Sequence, residues 1–180
     1  MFKKLWLFLI TGFIALALVG CGEAEVSTVG DSSDSTAEKK EGNKEEETPE
    51  FYKPDETVSI DGVEISIDSV SWGKEAEYSE SQNGKIMRLE VTIKNNSEDN
   101  AFADNTEFAL SDAEGNMMDS YYGNDDANMF SSEIKKGKQV KGILEYDVPE
   151  SESYELYYEP SFSFKENTEV KWLIEKSDVQ

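Results

Sequence analysis

The stretch Lys85-Ile-Met-Arg-Leu-Glu-Val-Thr-Ile-Lys94 has the regular two-residue alternation of a β-strand. Four of its five apolar positions, Met87, Leu89, Val91 and Ile93, fall on one side of that alternation, and the fifth, Ile86, falls on the other side with the polar residues. The run ends at Asn95-Asn96-Ser97, residue types that favour turns. Because successive side chains of a strand point to opposite faces, this pattern predicts a strand that packs one face on a core.

Similar signals continue on both sides of this strand. Upstream, Thr57 to Ile60, Asp61-Gly62 and Val63 to Trp72 predict strand, tight turn and strand. Downstream, further strands are predicted at 106–111, 117–122, 138–148, 154–158 and 170–174. Gly142 lies inside the long strand 138–148 and predicts a bulge or a close backbone approach. We find no sustained helical period after residue 54, so the chain is predicted to be an all-β sandwich or barrel.

Three motifs in this order resemble a bacterial domain-of-unknown-function family. They are Leu89 to Asn96, then Phe108-Ala109-Leu110-Ser111-Asp112 followed by Gly115, then Lys136 to Pro149. The resemblance implies an immunoglobulin-like antiparallel β-sandwich over residues 55–176, related in fold to a secreted immunogenic antigen. Members are typically lipoproteins or membrane-tethered proteins. The family has no established catalytic residues to carry over, and the resemblance implies ligand or protein binding.

The N-terminus has the parts of a secretory leader. Lys3 and Lys4 precede the apolar run Leu5 to Leu18, which is shorter than the roughly 20 residues of a membrane-spanning helix. The run ends in Leu18-Val19-Gly20-Cys21, which resembles the lipobox of bacterial lipoproteins. That resemblance implies a signal peptide at 1–20, a diacylglyceryl group on Cys21 and a location on the extracytoplasmic face of the cell membrane. The alternative is an uncleaved N-terminal anchor with a chance cysteine.

Residues 21–54 are predicted to be a lipidated cysteine followed by a disordered acidic linker. The segment is rich in Glu, Ser, Asp, Thr and Lys and has almost no large apolar residue before Phe51. Such a composition buries too little surface to offset the entropy of ordering. We interpret it as a flexible tether between the membrane and the domain.

Composition excludes several classes of function. The chain carries 39 Asp and Glu against 17 Lys and Arg, a net charge of −22, which disfavours nucleic-acid binding and adhesion to anionic lipid through a basic face. There is no histidine, and the single cysteine is assigned to lipidation. No nucleophile motif or carboxylate spacing indicates catalysis, so we expect a non-enzyme without a cofactor. Weak calcium binding by two acidic loops stays an open alternative, with candidate residues Asp112, Glu114, Asp119, Asp125 and Asp126.

Tyrosine, methionine and phenylalanine flank the acidic loop 123–128, and these adaptable contact residues are enriched at protein interfaces. The candidate partner surface consists of Tyr121, Tyr122, Met129 and Phe130, with Met117 and Met118 nearby. The competing interpretation is that alternate members belong to the core. The function predicted from sequence is a membrane-anchored, non-catalytic binding module for an extracytoplasmic protein or envelope ligand. The alternative is a structural or accessory subunit of an envelope or secretion assembly.

Overall fold

The computed structural model describes residues 24–29, 50–163, 165–166 and 168–180. Within these ranges the chain forms eleven β-strands and two 3-10 turns, at Asn105–Glu107 and Lys176–Asp178, with no α-helix. The strands are β1 (Val26–Val29), β2 (Thr57–Ile60), β3 (Val63–Trp72), β4 (Lys85–Asn95), β5 (Ala101–Asp104), β6 (Phe108–Asp112), β7 (Asp119–Ser120), β8 (Ser131–Ile134), β9 (Gln139–Val148), β10 (Ser153–Tyr158) and β11 (Val170–Glu175). The all-β prediction is confirmed.

The strands pair into three antiparallel sheets. The largest has the order β1-β2-β3-β4-β9-β7, a second has the order β11-β10-β6, and β5 pairs with β8. The core cluster draws buried residues from all three sheets, so the two larger sheets share one interior. This arrangement is the antiparallel β-sandwich that the sequence predicts.

The β2–β3 hairpin forms at the predicted turn. Asp61 and Gly62 both have positive φ, at 50° and 85°, and Ile60 pairs directly with Val63. Two positive φ angles define the turn whose twist matches that of paired strands, and Asp-Gly is a favoured sequence for it. The turn therefore sets the register that places Val63 and Ile65 in the core.

The central strands β4 and β9 pair without interruption from Lys85↔Val148 to Lys94↔Gln139. Gly142 therefore marks a close approach and not a bulge, because the Phe130 ring occupies its inner side. A Cβ at this glycine would lie 2.2 Å from Phe130 Cδ1. The bulge of this sheet lies instead in β3, where the register shifts between Ile67 and Ser69.

Large aromatic and aliphatic side chains fill the interior. Trp172, Tyr158 and Leu110 are fully buried, and the Tyr158 ring stacks on Phe108 with centroids 4.5 Å apart. Each fully buried apolar side chain contributes about 1.5–3 kcal/mol relative to exposure. Burial of these side chains therefore contributes to the stability of the domain.

Two predictions from the sequence need correction, and two further strands were missed. The linker prediction differs at Val26–Val29, which pairs with β2 along its whole length. The strand predicted over 117–122 is reduced to Asp119–Ser120. Strands β5 and β8 were not predicted, because their four-residue segments are too short to show a period. The predicted leader, Cys21 and residues 30–49 of the linker lie outside the described residues.

Candidate interaction surface

Two loops fold over the outer face of the β4–β9 pair. The first joins β3 to β4 and comprises residues 73–84, and the second, residues 121–130, joins β7 to β8. The Gly73 amide donates to the Ile86 carbonyl (2.8 Å), and the Tyr121 amide donates to the Glu145 carbonyl (2.8 Å). The backbone of each loop is thus attached to the strand below it.

The centre of this surface is a buried carboxylate held by the only arginine of the chain. Glu145 has no exposed surface, and Arg88 Nη1 lies 2.6 Å from its Oε1. Asn124 Nδ2 donates to the other oxygen at 2.8 Å. A charge removed from water is tolerated when it is paired and hydrogen-bonded, and here both oxygens have partners.

Arg88 also binds the second loop from outside. Its Nη2 lies 2.8 Å from Asp126 Oδ2. Asp126 and then Glu145 raise the pKa of the Arg88 guanidinium above its ordinary value, against the effect of burial. The hydrogen bond from Arg88 in turn lowers the pKa of Asp126. Arg88 therefore connects Asp126 of the second loop to Glu145 of the sheet and holds the loop in place.

Asn128 holds the end of the second loop against β9. Its φ is 51°, a left-handed conformation that Asn adopts more readily than β-branched residues do. Its Nδ2 donates to the carbonyls of Tyr121 (2.8 Å) and Glu145 (2.9 Å), and its Oδ1 accepts from the Glu145 amide (3.2 Å). The side chain thereby bonds both the start of its own loop and the edge of β9.

Asp147 orders the first loop in a similar way. Its carboxylate accepts from Ser81 Oγ (2.6 Å) and from the amides of Gln82 (2.6 Å) and Asn83 (3.0 Å). Burial opposes ionisation of Asp147, but these three donors outweigh it and hold its pKa below the ordinary value. The carboxylate thus serves as an ionised acceptor for the backbone of the loop.

Tyr121 connects the two loops. It is only 5% exposed, and its hydroxyl accepts from the Ala76 amide (2.7 Å) and donates to the Ser79 carbonyl. Asn124 Nδ2 adds a contact to the Lys74 carbonyl at 3.0 Å. The two loops therefore form one hydrogen-bonded layer over the sheet.

This layer carries exposed apolar side chains. Tyr78 is 92% exposed, Tyr122 66% and Met129 75%, and we call these three residues the loop patch. Tyr78 lies between Ala76 and Ser79, which both bind Tyr121, and Tyr122 follows Tyr121 directly. The acidic residues of the same loops are Glu75, Glu77, Glu80, Asp125 and Asp126, so the apolar groups stand among negative charges.

The four residues of the predicted partner surface are divided by the structure. Tyr122 and Met129 are exposed, whereas Tyr121 is buried and holds the loops together. Phe130 is half-buried, because its ring packs on Gly142 and edge-on against Phe108 with centroids 6.2 Å apart. The sequence-based surface is therefore corrected to its outward members.

The methionines predicted to lie near this surface belong elsewhere. Met117 is exposed, but it lines a groove beside Tyr157 on the three-stranded sheet, and Met118 packs against the core. A shallow groove of about 430 Å³ adjoins the loop patch at Met129. On the groove's floor Asp68 accepts from Thr92 Oγ1 (2.6 Å) and pairs with Lys141 Nζ (3.1 Å).

The acidic loops do not bring the predicted calcium ligands together. No three acidic or other metal-ligating side chains converge among the residues that the structure describes. Asp112 caps its own turn, accepting from the amides of Glu114 (2.9 Å) and Asn116 (2.9 Å). Asp126 is bound to Arg88. These contacts give the carboxylates a structural explanation as loop acceptors.

Sequence reasoning missed Arg88, Glu145 and Asp147, since charged residues at outward strand positions are usually solvated. The one available signal was Arg88 itself, the single arginine in a chain whose other basic residues are lysines. Arginine forms planar, multidentate contacts with carboxylates that lysine cannot reproduce. A lone arginine at the centre of the strongest predicted strand is consistent with such a structural role.

The fold and this surface define an antiparallel β-sandwich whose outer face is covered by two bonded loops. The chain belongs to the family described as Domain of unknown function (DUF4352), whose model matches residues 52–170. It is similar to the uncharacterized lipoprotein YcdA of Bacillus subtilis, with 28% identity over 149 residues, covering 81% of this chain and 39% of that protein. The chain thus spans about two fifths of the length of that relative.

Several solved structures are similar to this chain. The crystal structure of YcdA aligns with a TM-score of 0.58 and 26% identity over 66% of this chain and 38% of that chain. The yjhA protein of Bacillus subtilis aligns with a TM-score of 0.52 and 19% identity over 69% and 98%. The secreted protein MPT63 of Mycobacterium tuberculosis is also similar, at a TM-score of 0.43 and 13% identity over 66% and 83%.

The family and its lipoprotein relatives identify the chain as an extracytoplasmic, membrane-associated lipoprotein. Within the described ranges, no helix has the length and apolar character needed to cross a bilayer.

Proposed function

We propose that the domain is a non-catalytic interaction module that Cys21 anchors to the membrane through a lipid. The observation that carries the binding role is the loop patch, in which Tyr78, Tyr122 and Met129 are exposed on loops that are bonded to the sheet. Large side chains held on a rigid base lose little conformational freedom on binding, which favours affinity. A membrane-anchored domain of this kind meets its partner outside the cytoplasm.

The chemistry of the patch suggests the partner. The loops that bear it also carry Glu75, Glu77, Glu80 and Asp125, all exposed. Tyrosine and methionine provide adaptable apolar contact, and the surrounding carboxylates favour positive charge. The best-matched ligand is a protein or peptide segment in which basic residues flank an apolar side chain.

The absence of catalysis in this proposal rests on the chemistry of the surface. The sequence contains no histidine, and the buried carboxylate Glu145 is held by Arg88 and Asn124. A general acid or base needs a proton that it can exchange near neutral pH. A buried carboxylate whose two oxygens are bound by Arg88 and Asn124 is a poor candidate for this role.

Site-specific photocrosslinking on intact cells tests the binding role. A photoreactive phenylalanine analogue at Tyr78 or Tyr122 is expected to capture a partner, whereas the same analogue at Phe102 is not. Phe102 is the matched control, since it is also a partly exposed aromatic residue but lies on β5 in a different sheet. Equal crosslinking at all three positions, or none at Tyr78 and Tyr122, would reject the loop patch. A single product of fixed stoichiometry would instead favour the accessory-subunit alternative.

The lipid attachment has a separate test. The variant Cys21→Ser is expected to leave the precursor unprocessed or to release the protein from membranes. Metabolic labelling with a fatty acid and the intact mass of the mature protein give the readout. Retained label and an unchanged processed mass in the variant would place the lipid on another residue.

A further inference from the structure

Strand β1 ties the segment just after Cys21 to the domain. All four of its residues pair with β2, from Val26↔Ile60 to Val29↔Thr57. The Asp61 amide donates to the Glu25 carbonyl (3.0 Å), and the Glu25 amide donates to Asp61 Oδ1 (3.1 Å). Ala24 and Val26 also pack against the core cluster. The segment is therefore an edge strand of the domain and not part of a free tether.

This pairing limits the distance between the lipid and the domain. An extended chain spans about 3.5 Å per residue, so the step from Cys21 to Glu25 covers at most about 14 Å. If β1 were unpaired, the flexible chain from Cys21 to Tyr52 would have a root-mean-square length of about 30 Å and a far greater maximum. The paired strand thus keeps one end of the sandwich close to the bilayer.

The end that lies near the lipid is defined by three turns. Asn96 donates its amide to the Gly62 carbonyl (2.9 Å), and Gly137 donates to the Asn95 carbonyl (2.6 Å). The β2–β3 turn, the end of β4 and the turn before β9 therefore lie at the same end of the large sheet as the point where β1 enters. We call this surface, residues 61–62, 95–99 and 135–138, the proximal end.

The charge of the proximal end differs from that of the whole chain, because its three lysines balance its three carboxylates (Asp61, Glu98 and Asp99), whereas the chain carries −22. Lys135, Lys136 and Lys138 are all exposed in one turn, and Lys136 pairs with Glu98. At physiological salt, charges are screened beyond about 8–10 Å, so a lipid surface interacts mainly with the nearest residues. The net charge of −22 repels anionic lipid from a distance, but the lysine turn is what a bilayer at the proximal end would contact.

We propose that the proximal end rests on the anionic headgroups of the membrane, with β1 as the clamp and the lysine turn as the contact. This inference relies on lipid attachment at Cys21, as proposed above. Tyr78 in the first loop then lies at the end of the sandwich away from the bilayer, because β3 runs from the proximal end at Val63 to the first loop at Gly73, whereas Met129 lies beside Gly142, part-way along β9. Ten strand residues at about 3.3 Å each separate the two ends by roughly 30 Å.

Headgroup quenching tests this orientation with the full lipidated protein. Since Cys21 is the only cysteine, a label can be placed on Asn96→Cys at the proximal end or on Glu77→Cys in the first loop. The protein is inserted in vesicles of phosphatidylcholine and phosphatidylglycerol that carry a nitroxide on the headgroup. We expect several-fold stronger quenching at position 96 than at position 77. Equal quenching at the two positions would overturn the orientation.

Two proline variants test the clamp. The Glu25 carbonyl faces the β2–β3 hairpin, and the amides of a strand alternate in direction, so the Ser27 amide faces β2 and the Thr28 amide faces solvent. Ser27→Pro is expected to release β1 and to reduce quenching at position 96 several-fold. Thr28→Pro is the control, because proline is tolerated on an edge strand where the amide faces outward. Unchanged quenching in Ser27→Pro would overturn the clamp.

Further variants and lipid compositions test the lysine contact separately from the lipid anchor. Lys135→Gln with Lys138→Gln should lower quenching at position 96 in anionic vesicles and leave it unchanged in pure phosphatidylcholine. An equal effect in both lipids would refute the electrostatic contact. Failure of the anchor gives a different result, because the protein would then dissociate from every vesicle, and sedimentation measures this directly. Thermal unfolding of each variant shows that the domain is folded.

Discussion

Replacement of Gly142 by alanine should destabilise the domain through a single steric conflict. A Cβ at this position would lie 2.2 Å from Phe130 Cδ1, 2.3 Å from Cε1 and 2.8 Å from Cγ. Carbon atoms in good contact are about 3.5–4.0 Å apart, so the ring has to move by more than about 1 Å. The ring also packs edge-on against Phe108, and movement weakens that contact.

The expected cost follows from these contacts. Overpacking a core site typically costs about 1–3 kcal/mol, and loss of an aromatic pair adds about 0.5–1.5 kcal/mol. Alanine is otherwise better than glycine in a strand by about 0.5–1 kcal/mol, which offsets part of the cost. We therefore expect Gly142→Ala to lower the free energy of unfolding by about 2–3 kcal/mol. For a domain of this size, that corresponds to a melting temperature lower by roughly 8–12 °C.

Urea unfolding of four proteins measures this effect. The wild type, Gly142→Ala, Phe130→Ala and the double variant form a thermodynamic cycle. In the Phe130→Ala background the conflict is gone, so Gly142→Ala should cost about 0.5 kcal/mol or less. A cost of Gly142→Ala that is the same with and without the ring would refute the steric explanation.

Other substitutions probe the polar contacts. Glu145→Gln leaves the partly buried Arg88 with a neutral partner and should cost about 3 kcal/mol in urea unfolding, whereas a change under 1 kcal/mol would show that the pair is dispensable. Asp147→Asn should cost about 2 kcal/mol at pH 7. Because the pKa of Asp147 is lowered in the folded protein, its contribution is present above the ordinary carboxyl pKa of about 3.9. The difference between wild type and variant should shrink only as the pH falls below that value, through the folded pKa, and a difference that shrank already between pH 7 and pH 5 would contradict this. Tyr154→Phe removes a hydroxyl that donates to the Pro149 carbonyl (2.6 Å) and should lower stability by about 1 kcal/mol, which calorimetry can detect.

A strand could be predicted from the sequence where only one of its two faces packs on the core. In β4 the apolar residues Met87, Leu89, Val91 and Ile93 repeat every two positions, and all four are buried. Contact with a flat core imposes this period directly on the sequence. The same logic located β3 and β9 to within a residue at each end.

The charged residues of the candidate site could not be predicted from the same pattern, because loops that are distant in sequence bury them. Glu145 and Asp147 occupy outward positions of β9, where sequence alone predicts solvated charges. They are buried because the loops 73–84 and 121–130 cover them. For the same reason, the sequence does not show that Tyr121 is buried and Tyr122 is exposed. One tyrosine reaches Ala76, 45 residues away in sequence, and no local pattern distinguishes it from its neighbour.

Strand β1 was not predicted for a different reason. Its sequence Val-Ser-Thr-Val lies in a segment of disordered composition, and three of its four residues are exposed. Backbone hydrogen bonds to the open edge of β2 hold it, and any non-proline residue can provide these. A sheet edge offers such bonds to any extended segment nearby, and this one is covered by the chain that leads to Cys21.

The polar groups beneath the two loops order these loops before any partner binds. Loops rich in Asn, Asp, Glu and Ser are usually mobile, and ordering them at the moment of binding lowers affinity. Here Arg88, Asn128 and Asp147 supply that order in advance, through contacts that bury polar groups at a cost in desolvation. A domain that needed only stability could bury apolar residues at these positions instead. The hydrogen-bonded layer that orders the loops carrying Tyr122 and Met129 therefore supports the binding role that we propose.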